Sequence, residues 1–132
     1  ATKKRILDAV KDTGIKERPM HDDEGDTASH LIFMLPSAEA ALCFRSAAAQ
    51  AGTQFSIISE NTWHFAKHWK ALEDMGEKDI FGIRAPSYAP ETMEGTDAIL
   101  SRAVMAGPNI NMSGEEVERI VSSVRYGAKT AL

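Results

Sequence analysis

The sequence predicts an α+β fold: a two-layer sandwich in which a small, mostly antiparallel sheet is covered by helices on one face. Three observations point that way. Helical and extended patterns interleave in the order α-β-β-α-β-α-loop-α-β-α, with few and short strands. Capping residues and Gly or Pro stand at the expected segment ends, among them Gly14, Pro19, Pro36 and Gly52. The 132 residues, 43% hydrophobic and 26% charged, suffice for one packed core and one domain.

Residues 3–13 read as a helix. Ile6, Leu7 and Val10 form its apolar stripe, with Lys3, Lys4, Arg5, Asp8, Lys11 and Asp12 around it. Gly14 fits a left-handed cap at its end. Ile15 to Arg18 suits a short edge strand closed by Pro19. After a polar turn at 21–26, His30 to Leu35 is the strongest strand. Its unbroken apolar run predicts burial on both faces. Ser37 is placed to cap the next helix, with Glu39 in its first turn, Ala40, Ala41, Phe44 and Ala48 along it and Gly52 closing it. Gln54 to Ile58 reads as a strand with Phe55 and Ile57 on one face.

Residues 63–72 read as a short aromatic helix with Phe65, Trp69 and Leu72 on one side. Residues 73–95, broken by Gly76, Gly82, Pro86, Pro90 and Gly95, read as a long loop of the kind that carries function or meets a partner. Thr96 is placed to cap a helical turn through Arg102, and Val104 to Met112 is partly extended around Gly107-Pro108. The last helix is marked most clearly. Ser113 followed by Glu116 is a capping box, Val117, Ile120, Val121 and Val124 form its stripe, and Gly127 reads as its stop.

Composition excludes several classes. Fifteen basic against nineteen acidic residues give a net charge of −4, without the basic face that tracks nucleic-acid phosphates. The longest apolar run, Leu31 to Leu35, falls far short of the roughly 20 residues a membrane span needs. No long apolar stretch follows the basic N-terminal residues, so no secretory signal is expected. The single cysteine, Cys43, fits a reducing compartment and hence a cytoplasmic protein.

The residues themselves spell out no complete catalytic set. His64 and His68 stand at i and i+4 and share a helix face, a spacing that can grip a metal. Phe65 follows His64 where a zincin has glutamate, and no third ligand is evident, so an aromatic packing patch is the competing reading. Asp22-Asp23-Glu24-Gly25-Asp26 lacks calcium-loop spacing and reads as a solvated turn. The glycines form no phosphate-binding motif, and no serine lies in a nucleophile elbow. Cys43 reads as a buried, inert thiol. Arg102 is placed to bind a carboxylate or phosphate bidentately, or to form an ordinary ion pair. Trp63 and Trp69 offer flat faces for a sugar ring or for packing.

Two stretches carry a resemblance to a known family. Glu24-Gly25-Asp26-Thr27, Leu31-Ile32-Phe33-Met34-Leu35-Pro36 and Ala38-Glu39-Ala40 resemble the start of the C-terminal small domain of the DegT/StrS-type sugar aminotransferases. Thr96 to Val104, followed by Asn109-Ile110-Asn111-Met112-Ser113-Gly114-Glu115-Glu116-Val117, is similar to that family's closing segment. Trp63-His64 to Trp69 looks most like the octulosonate-type members. The resemblance spans nearly the whole chain.

It implies a pyridoxal-phosphate (PLP) enzyme that moves an amino group, commonly from glutamate, onto a keto sugar. The lysine that holds the cofactor and the aspartate facing its pyridinium nitrogen belong to a large catalytic domain that this chain lacks. No lysine here stands in the family's serine-preceded, glycine-followed context. The chain is therefore expected to be a fragment or a free-standing small domain, inactive alone, with no catalytic, cofactor or metal residue of its own. Its partners would be the large domain, a second subunit of a homodimer, the keto sugar and the amino donor, but no nucleic acid and no membrane. By the resemblance, Trp63, His64, His68 and Arg102 are the candidate substrate contacts. The family's proline before the second histidine is missing from Ala66-Lys67-His68. A stand-alone interaction module without catalysis is the alternative, and a histidine-based metal site a third.

Overall fold

The computed structural model describes residues 2–63, 65–70, 93–109 and 111–132. Among these, the helices are α1 (Thr2–Val10), α2 (Ala38–Gln50), α3 (Glu94–Leu100) and α4 (Gly114–Ala131). The strands are β1 (Lys16–Glu17), β2 (Leu31–Met34), β3 (Ser56–Ile57) and β4 (Ala103–Ala106). Among the described residues, 3₁₀ turns occupy Lys11–Thr13, Ile58–Glu60 and Ala66–His68. The fold is the expected small α+β domain. The sheet has the order β1-β2-β4-β3 and every pairing is antiparallel.

Local chemistry sets most of the element ends. Gly14 takes φ +80°, the left-handed conformation that ends the first helical stretch. The Ser37 side chain accepts the Ala40 N–H at 3.1 Å at the start of α2. At α4 the capping box is complete: Ser113 Oγ accepts the Glu116 N–H at 3.2 Å, and the Glu116 carboxylate accepts the Ser113 N–H at 2.7 Å.

The register decides which side chains share a face. Phe33 opposes Val104, and Val104 opposes Ile57, so these three form one row across the sheet. That row faces the helices. With Leu31 it joins Ile6 and Val10 of α1, Ala41, Phe44 and Ala48 of α2, and Val117, Ile120, Val121 and Val124 of α4 in one core. At its centre Phe44 meets Phe55 edge-on at 5.2 Å, with Phe33 6.3 Å from Phe44. The other face of the sheet carries Ile32, Met34 and Met105, which are half-buried, and the exposed Lys16 and Ser56. The expectation that β2 is buried on both faces is thus corrected: it is sealed on the helix side only.

Four further expectations are corrected. Gly127 does not stop α4, which runs on to Ala131; it lets the helix pass close to Phe44. Within 63–72, Trp63, Phe65 and Trp69 are not helical; Ala66–His68 forms a 3₁₀ turn, Lys70 is helical, and Trp69 is 42% exposed, while His64, Ala71 and Leu72 lie outside the described residues. Gly95, read as loop, lies inside α3, which starts at Glu94 without a side-chain cap. Cys43 is exposed on α2, not buried. The predicted loop from 73 through 92 lies outside the described residues.

Candidate functional site at one end of the sheet

Strand direction gathers the candidate residues. Lys16 and Ala103 both pair with Met34, so β1 and β4 begin where β2 ends. β3 runs parallel to β2, because both are antiparallel to β4, and it leaves the sheet at the same end. Arg102 therefore precedes β4 there, and Trp63 and His68 follow β3 there. His64 belongs to the same segment by sequence but lies outside the described residues.

A groove of about 580 Å³ opens at this end on the β1–β2 side. Met34, Leu35, Ile99 and Leu132 give it apolar walls, and Lys16 and Arg102 give it cations. Arg102 is fixed through its backbone, since its carbonyl accepts the Leu35 N–H at 2.9 Å. Among the described residues neither Lys16 nor Arg102 enters an ion pair. Both heads are left to meet an anion, and the Arg102 fork suits a carboxylate or phosphate. Lys16 was not singled out in the sequence, because nothing local shows that it stands over the same groove.

Trp63 and His68 are not lining residues of that groove. They stand on the β3 side of the same end. Trp63 is 82% exposed, and its backbone N–H donates to Asn61 Oδ1 at 2.8 Å. Its ring is thus presented to solvent. Phe65 is the buried anchor of the segment and meets the His68 ring edge-on at 5.4 Å. His68 Nε2 lies 2.7 Å from the Ser59 carbonyl oxygen. A carbonyl only accepts, so Nε2 carries the hydrogen of this bond, and Nδ1 is left as the ring's other polar atom. An ion pair between Lys67 and Asp97 ties this segment to α3.

A second charged centre escaped the sequence reading. Lys3, placed there on the polar side of the first helix, is 5% exposed and lies 2.6 Å from both Glu17 and Asp26. Burial alone would push its ammonium pKa down, but the hydrogen bonds to Asp26 and Glu17 outweigh it and the net shift is upward. Asp26 is held below the usual carboxyl range by Lys3 and by the Ala28 N–H. The spacing carried the signal: Lys3 is three residues before Ile6 and seven before Val10, on the buried stripe.

Lys3 is occupied by two carboxylates, Lys4 pairs with Asp8, and Lys67 pairs with Asp97. Lys16 lines the open groove beside Glu17, which Lys3 already engages. Among the described residues no group of three His, Cys, Asp or Glu side chains is arranged around a metal. Among them, too, no helix is long and apolar enough to cross a membrane. No protein-family model matches the chain.

Proposed function

We propose that this chain is the small domain of a PLP-dependent aminotransferase of the DegT/StrS type. Its substrate is a keto sugar, nucleotide-linked or octulosonate-type, used in cytoplasmic synthesis of cell-surface or natural-product sugars. The cofactor and the transfer chemistry reside in a large domain, and the complete enzyme is a homodimer. The small domain supplies substrate contacts and interdomain packing. Arg102 grips an anionic group of the sugar, His68 hydrogen-bonds a hydroxyl at Nδ1, and Trp63 lies against the ring. His64 joins them on the resemblance alone.

One observation carries this reading. Three of the family-like stretches, the Leu35-Pro36 end of β2, the Trp63 to Trp69 segment and Thr96 to Arg102, lie at one end of the sheet, beside a groove with apolar walls and two cations that enter no ion pair among the described residues. The test uses the full-length product of the gene and this chain alone, each titrated with PLP and followed by absorbance. The full-length product should show a lysine-bound cofactor band and the chain alone should not. In the full-length enzyme Arg102→Gln should raise KM for the keto sugar about 10- to 100-fold, the loss of a charge-assisted hydrogen bond, with the cofactor band unchanged. An unchanged KM and kcat would remove Arg102 from the site. If neither product binds the cofactor, the interaction-module reading leads. Exposed Leu42, Cys43 and Tyr126, side by side on α2 and α4, favour that second reading.

A further inference from the structure

We infer that Asp97 is a positioning residue: by pairing with Lys67 it holds the Trp63–His68 side of the sheet end in fixed register with Arg102, so that the two sides act as one sugar-binding subsite. The inference rests on the proposed function for its substrate and on the ion pair for its geometry.

The two sides are held in different ways. Arg102 is pinned through its carbonyl to Leu35, directly after β2. The Trp63–His68 side is held by short local contacts, His68 Nε2 to the Ser59 carbonyl and the Trp63 backbone N–H to Asn61. Its regular structure is one 3₁₀ turn, closed by the His68 N–H on Phe65 and the Trp69 N–H on Ala66. Its one fully buried described side chain is Phe65. Helix α3 runs between the two sides, from Glu94 to Leu100, and ends two residues before Arg102. It has no buried residue and no side-chain N-cap, so neither an apolar stripe nor a cap seats it. The Lys67–Asp97 ion pair joins α3 to the turn, and both side chains are one-third exposed, partly shielded from water.

The pairing also assigns Lys67 a role by exclusion. Its charge is met by Asp97, whereas Lys16 and Arg102 keep theirs unpaired among the described residues. Lys67 is therefore not an anion-gripping residue. It is the handle by which Asp97 holds His68, its chain neighbour, in place.

The test has a structural and a kinetic arm. In the structural arm, amide hydrogen exchange is followed on this chain for His68 and Trp69, whose N–H groups close the turn. Asp97→Asn should speed both about two- to fivefold, the range for losing a part-exposed ion pair, and Asp97→Glu should restore them. Asp12→Asn, at the Arg125 pair on the helix side, serves as the control and should leave them unchanged. In the kinetic arm, the full-length enzyme is assayed with 3-deoxyoctulosonate-type keto sugar acid. Asp97→Asn should raise KM about two- to fivefold with kcat held, and Asp97→Glu should recover it. Unchanged exchange in Asp97→Asn overturns the inference whatever the kinetics. Faster exchange with an unchanged KM, in an enzyme whose KM does respond to Arg102→Gln, also overturns it, because the turn then moves without consequence for binding. If the full-length enzyme aminates no keto sugar, the proposed function fails separately, and the exchange arm alone decides whether Asp97 positions the turn.

Discussion

Gly127→Ala sets two effects of opposite sign against each other. Position 127 lies inside α4, where alanine in place of glycine should add about 1 kcal/mol of helix propensity. The structure argues that packing wins. A Cβ there would stand 2.8 Å from two ring carbons of Phe44 and 3.1 Å from its carbonyl oxygen. The ring has little room to yield, since Phe55 lies 5.2 Å away on one side and Phe33 6.3 Å away on another. The carbonyl belongs to the backbone of α2 and yields only if the whole helix shifts. Overpacking costs about 1–3 kcal/mol, and contact with both a hemmed-in ring and a backbone oxygen puts this site in the upper half, so about 2–3 kcal/mol less about 1 of propensity leaves a net loss of about 1–2 kcal/mol. In a chain of this length that is a fall of roughly 4–8 °C in Tm. Urea unfolding of the two proteins, read by circular dichroism, measures it. Gly95→Ala is the control: it also lies in a helix, but its Cβ would meet nothing within 4 Å, so it should be neutral or slightly stabilising. A Gly127→Ala protein as stable as its parent would show that α2 and α4 are not in the close contact described, and that Gly127 ends the helix after all.

Two further predictions concern charge. Lys3→Met should destabilise the domain at neutral pH by about 1–2 kcal/mol, less than a fully buried pair would cost, because water reaches Glu17 and Asp26, which stay 25% and 17% exposed. The lowered pKa of Asp26 means its contribution is present above about 3.8 and fades as acid protonates it, while the raised pKa of Lys3 means its contribution is present below about 10.5 and fades in alkali. Urea midpoints from pH 7 down to 3 should therefore fall less steeply in Lys3→Met than in the parent; equal slopes would show that the clasp carries no linkage. Ser113→Ala should cost about 1 kcal/mol by opening the capping box. Because Glu116 is held below its usual range by the Ser113 N–H and hydroxyl, the difference from the parent should shrink as the pH drops below about 4.5, in the same titration.

What the sequence discloses and what it hides divide by range. Gly14, Ser37 and the Ser113–Glu116 pair act within four residues of themselves, and each has the predicted role. Gly127 was misread because the same residue type serves as a cap and as a point of close approach. The stripe itself argued for continuation, since Ala128 follows Val124 by four residues and is buried. Cys43 was misread for a related reason. α2 is rich in alanine and its polarity pattern is weak, so neighbours Leu42 and Phe44 suggested burial, yet only Phe44 lies in phase with Ala41 and Ala48. The gathering of Lys16, Arg102, Trp63 and His68 at one end of the sheet was not legible at all, because it depends on the pairing of β1, β3 and β4, which sequence spacing does not reveal.

That arrangement separates what holds the domain together from what it is proposed to bind. The aromatic and aliphatic core lies wholly on the helix side of the sheet, whereas Arg102, His68 and Trp63 lie off the strand ends, and none belongs to the core. Trp63 and His68 are exposed, and Arg102 contributes to the fold through its backbone carbonyl, which any residue but one with a displaced chain would still present. Substituting these side chains should leave stability within about 0.5 kcal/mol of the parent. Binding and stability can then be read independently: a loss of keto-sugar binding in Arg102→Gln with an unchanged urea midpoint locates the effect in the guanidinium itself. A fall in both would mean that the side chain supports the β2–β4 junction, and the groove would then be a consequence of packing and not a site.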